Sequence, residues 1–144
     1  MGVRIFIVLI LSFIFTSTAL SYEYPNPDLT PGEVLTTETD TICVPHYSET
    51  VRNTSKALKD KVYEKYGITT KAERKKYVLD HLINLALGGA DTEFNLWPQP
   101  KEEAKNKDVV ENYLKRQVCK GKFKIEAAQD AVAEDWAEIY SDLQ

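Results

Sequence analysis

The chain has 144 residues, of which 43% are hydrophobic, and a formal net charge of −4 at pH 7. This length favours one domain with a modest core. An acidic total disfavours a nucleic-acid partner, because affinity for a phosphate backbone comes largely from Lys and Arg. The charge is uneven, however: residues 44–124 hold 17 of the 18 basic residues but only 11 of the 22 acidic ones. A basic middle permits phosphate contact, although solvation of helix faces explains most of these residues more simply.

The first 21 residues have the pattern of a secretory signal peptide. Arg4 precedes the apolar run Ile5–Phe15, and small residues follow this run. The run is short for a membrane span and no second apolar stretch follows it. We therefore expect a secreted or periplasmic protein without stable membrane association after cleavage. The remaining chain would comprise an extended N-terminal arm over residues 22–41 and a domain over residues 42–144.

The arm is rich in Pro, Gly, Thr and Asp, a composition that favours extended or irregular backbone. Apolar residues then recur at helical spacing up to Gly67, which predicts a helix over residues 55–66. The basic run Lys71–Lys76 predicts a short helix or turn.

Two short strands are predicted around a glycine pair. Residues 77–79 form a strand pattern that leads into Asp80 and His81. Gly88-Gly89 supplies the backbone freedom for a tight reversal. Residues 94–97 are expected to return as the partner strand and to end at the prolines that follow.

Two longer helices complete the predicted order. Apolar residues recur every three to five positions over residues 101–117, and again over residues 126–140 after a break at Gly121. Trp97 and Trp136 lie within apolar patterns and are expected in the core. A strand pair with separate helices indicates an α+β fold.

Cys43 and Cys119 are the two cysteines of the chain. In an exported protein an even count favours one disulfide between them, and two unpaired buried thiols are the alternative. The cysteines and histidines show no Cys-x-x-Cys or His-x-x-x-His spacing, so no structural zinc is expected. Any metal would be held by oxygen ligands and His81.

Asp80 and His81 place a carboxylate, which is a ligand for hard metal ions, beside an imidazole, which is a general base. Metal-assisted hydrolysis of a phosphodiester needs these two groups close to one phosphate. The pair begins the motif Asp-His-Leu-Ile-Asn-Leu-Ala-Leu-Gly-Gly, and Asn95 begins Asn-Leu-Trp-Pro-Gln. This order, with Asp-His on one strand, a Gly-Gly loop, Asn on the next strand and then a helix, resembles the HNH or ββα-metal nuclease fold.

The resemblance covers nearly the whole chain after the signal peptide. Further segments similar to a group of small exported bacterial proteins classed as HNH-like nucleases are residues 42–52, 62–68, 104–108, 118–121 and 128–136. The resemblance implies a ββα-metal core with flanking helices. It also implies a metal-dependent endonuclease with little sequence preference, for which DNA is favoured over RNA as the substrate and the choice between them stays open.

The resemblance assigns roles to three residues. His81 matches the general base that takes a proton from the attacking water. Asp80 matches a ligand of a divalent ion, Mg²⁺ or Mn²⁺, placed against the phosphate. Asn95 matches the residue that braces the loop and orients the base.

The chain departs from the family's pattern on the helix that follows. Many HNH proteins carry His or Asn where this chain has Ala104. Glu103 is the first choice for a substitute metal ligand, and Asn106 and Asp108 offer further oxygen atoms. The departure leaves open a second hypothesis, a non-catalytic binding or structural protein on the same scaffold.

Basic side chains near the site are expected to hold the nucleic acid. The residues predicted to contact phosphate are Arg74, Lys75, Lys76, Lys105 and Lys107. A solvated turn or helix face is the alternative for these residues. No module that would read base sequence is apparent in the chain.

Overall fold

The computed structural model describes residues 22–144, and the predicted signal peptide lies outside the described residues. Over this range the chain forms six α-helices and a two-stranded antiparallel sheet, which confirms the α+β class. The elements in chain order are α1 (Thr39–Ile42), α2 (Tyr47–Val51), α3 (Lys56–Lys65), α4 (Lys71–Arg74), β1 (Tyr77–His81), β2 (Leu96–Pro100), α5 (Lys101–Cys119) and α6 (Ile125–Asp142). Within the described range, none of the helices combines the length and apolar character that a membrane span requires.

Two of the four helices before the sheet, α3 and α4, begin at side-chain caps. Ser55 caps α3, because its side-chain oxygen accepts a hydrogen bond from the amide of Leu58 at 3.1 Å. Thr70 and Glu73 form a reciprocal capping box at the start of α4. The predicted helix over residues 55–66 and the predicted basic turn are therefore both confirmed, with ends displaced by one or two residues.

The sheet is a hairpin in which β1 and β2 pair antiparallel, with Asp80 opposite Trp97. The predicted second strand was wrong in position, because β2 begins at Leu96 and runs through both prolines. Each strand of a two-stranded sheet has a free edge, where the missing N–H of proline costs no hydrogen bond. Asn95 consequently lies one residue before β2 and not within it.

The connection between the strands is longer than the predicted tight reversal. It contains a 3-10 helix over Leu85–Leu87 and then Gly88, whose φ is +84°. A Cβ atom on Gly89 would lie 1.8 Å from the carbonyl oxygen of Ile83 and 2.9 Å from Nδ2 of Asn95. The glycine pair is therefore required for close packing of the loop onto itself, as well as for the left-handed turn.

The main core lies between α5 and α6, with α1 and the 3-10 helix against them. Trp97 and Trp136 are both buried, as predicted. The disulfide between Cys43 and Cys119 is present and joins the end of α1 to the end of α5. It closes a loop with a sequence separation of 76, and so links the N-terminal helices to the core.

The N-terminal arm packs along the hairpin loop. Val34 forms an isolated antiparallel bridge with Gly89, and the amide of Gly32 donates to the carbonyl of Phe94 at 3.0 Å. Thr30 is buried, and its hydroxyl donates to the carbonyl of Leu96 at 3.0 Å. The arm thus covers one side of the segment that carries the predicted site.

Candidate functional site

Asp80 and His81 are the last two residues of β1, and their side chains take partners on opposite faces of the hairpin. Asp80 faces α5, where Nζ of Lys107 donates to its Oδ2 at 2.7 Å. His81 faces the hairpin loop, where its Nε2 lies 2.8 Å from Oδ1 of Asp91. The two residues predicted to work together therefore share a strand end but not a strand face.

The His81–Asp91 pair sets the chemical state of the imidazole. Burial would raise the pKa of Asp91, but hydrogen bonds from His81, Thr54 and Asn53 lower it below its usual range. The carboxylate is therefore ionised near neutral pH and accepts the proton on Nε2 of His81. The neutral ring then carries its lone pair on Nδ1, the form that can accept a proton from water.

The imidazole itself favours the neutral form. Burial lowers the pKa of His81 below 6.5, and this effect outweighs the hydrogen bond and charge of Asp91, which raise it. Although His81 is only 5% exposed, it borders an open pocket of about 340 Å³. A small molecule such as water can therefore approach the strand end that carries this base.

Asp91 also fixes the segment between α2 and α3. Its carboxylate accepts hydrogen bonds from the hydroxyl of Thr54 at 2.7 Å and from the amide of Asn53. Asp91 was not among the predicted site residues, although its place in the loop between the two predicted strands was visible in the sequence. One side chain thus holds both the imidazole and one wall of its pocket.

Asn95 is completely buried and ties the hairpin loop together. Its Oδ1 accepts from the amide of Ile83 at 2.9 Å, and its Nδ2 donates to the carbonyls of Ile83 and Ala90 at 2.9 and 2.8 Å. These bonds brace the loop, but none of them reaches His81. The imidazole takes its orientation from Asp91.

Lys107 is fully buried, although it was predicted to contact phosphate at the surface. Its Nζ donates to Oδ2 of Asp80, to the carbonyl of His81 at 2.8 Å and to Glu111. Burial alone would lower the pKa of Lys107, but the charges of Glu111 and Asp80 raise it, so the ammonium stays charged. Lys107 can be buried because two carboxylates and a carbonyl replace the water that would surround its ammonium at the surface.

Glu103 and Asn106, predicted as metal ligands, make their hydrogen bonds with the arm and not with Asp80. The carboxylate of Glu103 accepts from the amide of Glu23 at 3.1 and 3.2 Å. Nδ2 of Asn106 donates to the hydroxyl of Tyr22 at 3.3 Å. Both side chains are therefore engaged by the arm in the structure.

Asp108 lies on α5, close enough to Asp80 for the two negative charges to interact. Its side chain is exposed, and its pKa is raised by partial burial and by the negative charge of Asp80. Asp80 keeps 23% of its side chain exposed. The two carboxylates repel each other, and the ammonium of Lys107, which is bound to Asp80, offsets part of that repulsion.

The predicted surface cations divide into two groups. Arg74 is held by Asp60 at 2.5 Å and lies over the ring of Tyr63, at 4.8 Å from its centroid. Lys75, Lys76 and Lys105 are exposed and form no ion pair within the described part of the chain. Arg74 is thus engaged within the protein, while the three lysines remain available to solvent.

No cluster of three His, Cys, Asp or Glu side chains that would hold a metal ion occurs among residues 22–144. A complete protein cage is not needed for Mg²⁺, which commonly binds one or two carboxylates and takes its other ligands from water and substrate phosphates. Asp80 and Asp108 fit that donor set, because both are oxygen ligands with access to solvent.

The site therefore combines an oriented neutral imidazole with two accessible carboxylates and a buried ammonium. No family model, curated protein or solved structure significantly matches this chain. An imidazole of this kind can transfer a proton, and carboxylate oxygens are ligands for hard cations.

Proposed function

We propose that the protein is an exported, metal-dependent HNH-like endonuclease that hydrolyses phosphodiester bonds, with DNA as the preferred substrate. The observation that carries the proposal is the His81–Asp91 pair, which orients an imidazole that borders an open pocket on the strand end shared with Asp80. A hairpin followed by a helix that packs on it, with Asp-His ending the first strand, also fits a ββα-metal core. The disulfide fits an oxidising compartment.

In this proposal each residue has a defined task. His81 takes a proton from the attacking water through Nδ1, and Asp91 holds the ring in the required tautomer. Asp80 and Asp108 would hold the divalent ion, which when bound supplies positive charge against the phosphate oxygens. Lys107 positions Asp80 through the 2.7 Å hydrogen bond, and Asn95 maintains the loop that carries Asp91.

The direct test is nicking of supercoiled plasmid by purified mature protein with Mg²⁺ or Mn²⁺, with and without EDTA. We expect cleavage that EDTA abolishes and that Asp80→Asn and Asp108→Asn reduce strongly. Glu103→Gln and Asn106→Ala should retain activity, because these side chains contact the arm. Cleavage that is unchanged by EDTA and by both aspartate variants would overturn the proposed metal site.

One observation favours a second candidate, a non-catalytic nucleic-acid-binding protein on the same scaffold. The ammonium of Lys107 already neutralises Asp80, which is the charge that a metal ion would otherwise compensate. In that case the folded protein should bind plasmid but leave it uncut with any divalent ion. The nicking experiment separates the two candidates.

A further inference from the structure

The pocket beside His81 has a positive lining. Its walls are formed by Arg52, Asn53, Thr54, Ser55, Lys59, Leu79 and His81, a set that includes two cations and no acidic residue. Arg52 and Lys59 are exposed, and neither forms a side-chain hydrogen bond or ion pair with another described residue. The pocket therefore presents two cations without a direct acidic partner next to the imidazole.

Other basic residues in this part of the molecule are engaged internally. Lys56 bonds to Asp60 at 2.6 Å, and Lys61 bonds to Glu93 at 2.7 Å. Lys65 donates to two backbone carbonyls, those of residues 29 and 93. Arg52 and Lys59 differ from these neighbours because they have no such partner among the described residues.

Arg52 is held close to the acid–base pair by the backbone that follows it. Asn53 and Thr54 both donate to Asp91, the carboxylate that also orients His81. The positive charge of Arg52 is near enough to contribute to lowering the pKa of His81. The carboxylate of Asp91 thus fixes both the imidazole of His81 and the backbone segment that follows Arg52.

Arg52 also borders a second pocket of about 340 Å³, on the side of α5. That pocket is lined by Asp108, Glu111 and Lys115 among others. Arg52 is therefore the residue shared by the pocket of the base and the pocket of Asp108, the proposed metal ligand. A group bound by Arg52 would lie between the two halves of the proposed site.

We propose that Arg52 and Lys59 bind the phosphodiester backbone of the nucleic acid, and that Arg52 positions the reacting phosphate between His81 and Asp108. The inference rests on the proposed function for the choice of phosphodiester as the anion. A planar guanidinium donates two parallel hydrogen bonds to phosphate oxygens, and the ammonium of Lys59 adds a point charge on a neighbouring phosphate. The main phosphate contacts are thereby placed at Arg52 and Lys59, and not at Arg74, which Asp60 engages.

Binding is measured by fluorescence anisotropy of a short labelled DNA duplex, and of an RNA duplex of the same sequence, over a range of NaCl concentrations. All proteins carry His81→Ala and are kept in EDTA, so that cleavage does not interfere. The variants added are Arg52→Ala, Arg52→Lys and Lys59→Ala. Arg116→Ala is the matched control, because Arg116 is an exposed arginine near the far end of α5.

We expect Arg52→Ala to weaken binding about tenfold and to reduce the slope of log K against log salt by about 1, as for one lost phosphate contact. Lys59→Ala should also reduce the slope, and Arg52→Lys should keep the slope while losing affinity. Arg116→Ala should match the parent. A preference between the two duplexes identifies the natural backbone.

The inference is overturned if Arg52→Ala and Lys59→Ala bind as Arg116→Ala does, or if the parent binds neither duplex. The first of these outcomes leaves the proposed activity untouched, whereas the second also counts against it. If wild-type protein cleaves plasmid but Arg52→Ala binds DNA normally, the proposed activity is supported and the role of Arg52 is rejected. If the protein never cleaves plasmid but its binding depends on Arg52, the role of Arg52 is supported and the proposed activity is rejected.

Discussion

Nε2 of His81 lies 2.8 Å from Oδ1 of Asp91, and both side chains are less than a tenth exposed. The two residues come from different elements, the end of β1 and the loop before β2. A buried carboxylate bound to one ring nitrogen leaves the other nitrogen as the proton acceptor. This contact is therefore what makes His81 a candidate base and not merely a buried histidine.

Asp91→Asn tests this contact directly. The amide cannot impose the Nε2–H tautomer, and it cannot accept from Asn53, Thr54 and His81 as strongly as a carboxylate. We expect the nicking rate to fall about 100-fold or more, in the range of a lost general base. The measurement is the initial rate of plasmid nicking at saturating metal ion.

The control for that variant is Asp130→Asn, which removes an exposed carboxylate on α6. It should cleave at the wild-type rate. If Asp91→Asn is as active as Asp130→Asn while its thermal unfolding is unchanged, Asp91 does not orient the base.

The pH dependence of activity follows from the burial of His81. Because burial lowers the pKa of His81 below 6.5, the acidic limb of the kcat/KM profile should have its midpoint below pH 6.5. Asp91 raises the pKa of His81, so Asp91→Asn should move the limb to still lower pH. A wild-type midpoint above pH 6.5 would contradict the neutral buried imidazole.

Stability should depend on pH through the same residue. The folded pKa of His81 is depressed, so the unfolded chain takes up the proton first as pH falls below 6.5. The free energy of unfolding should therefore decline below pH 6.5 and level off below the folded pKa. Urea unfolding in EDTA, compared between wild type and His81→Gln, measures this difference, and the contribution of His46 cancels.

Lys107 is expected to be essential for the fold because of its carboxylate partners. Lys107→Met would leave Glu111 buried without its counter-charge, although burial raises the pKa of Glu111 to about 7 and so eases its protonation. We expect a loss of about 3 to 5 kcal/mol in the free energy of unfolding, as for a broken buried pair. Urea unfolding provides the measurement.

The double variant Lys107→Met, Glu111→Leu serves as the comparison. It removes the buried ammonium together with the carboxylate that is 5% exposed, so it should recover much of the lost stability. Equal stability of the single and double variants would show that the pair is not the source of the effect.

The disulfide should stabilise the fold mainly by restricting the unfolded chain. With a separation of 76 residues between Cys43 and Cys119, the double Cys→Ala variant should lose about 4 kcal/mol of unfolding free energy. The change is measured by urea unfolding of both proteins under oxidising conditions. A thiol assay on native wild-type protein that finds two reactive cysteines would contradict the bond.

The long elements were predictable because local signals determine them. The spacing of apolar residues defines α5 and α6, and Ser55 and Gly67 mark the two ends of α3. The antiparallel pairing of two short strands around residues 77–100 was also predictable. Its second strand was misplaced, because prolines are strand breakers except at a free edge, and edge status is not visible in the sequence.

The site was only partly predictable for a related reason. Asp80 and His81 are adjacent in the chain, but their partners depend on tertiary packing. The rotation of α5 places Lys107 against Asp80, and the fold of the hairpin loop places Asp91 against His81. Lysines on a helix are usually at the surface, so nothing in the sequence indicated that Lys107 is buried. Glu103 was favoured as a ligand from its position alone, whereas the arm is what it contacts.

The role of His81 is tested by comparing plasmid nicking by wild type, His81→Ala and His46→Ala under identical metal conditions. His46 is the other histidine of the chain and is exposed, so its variant controls for the loss of an imidazole. We predict metal-dependent cleavage that is abolished in His81→Ala and unchanged in His46→Ala. Equal cleavage by wild type and His81→Ala would contradict the assignment of His81 as the base.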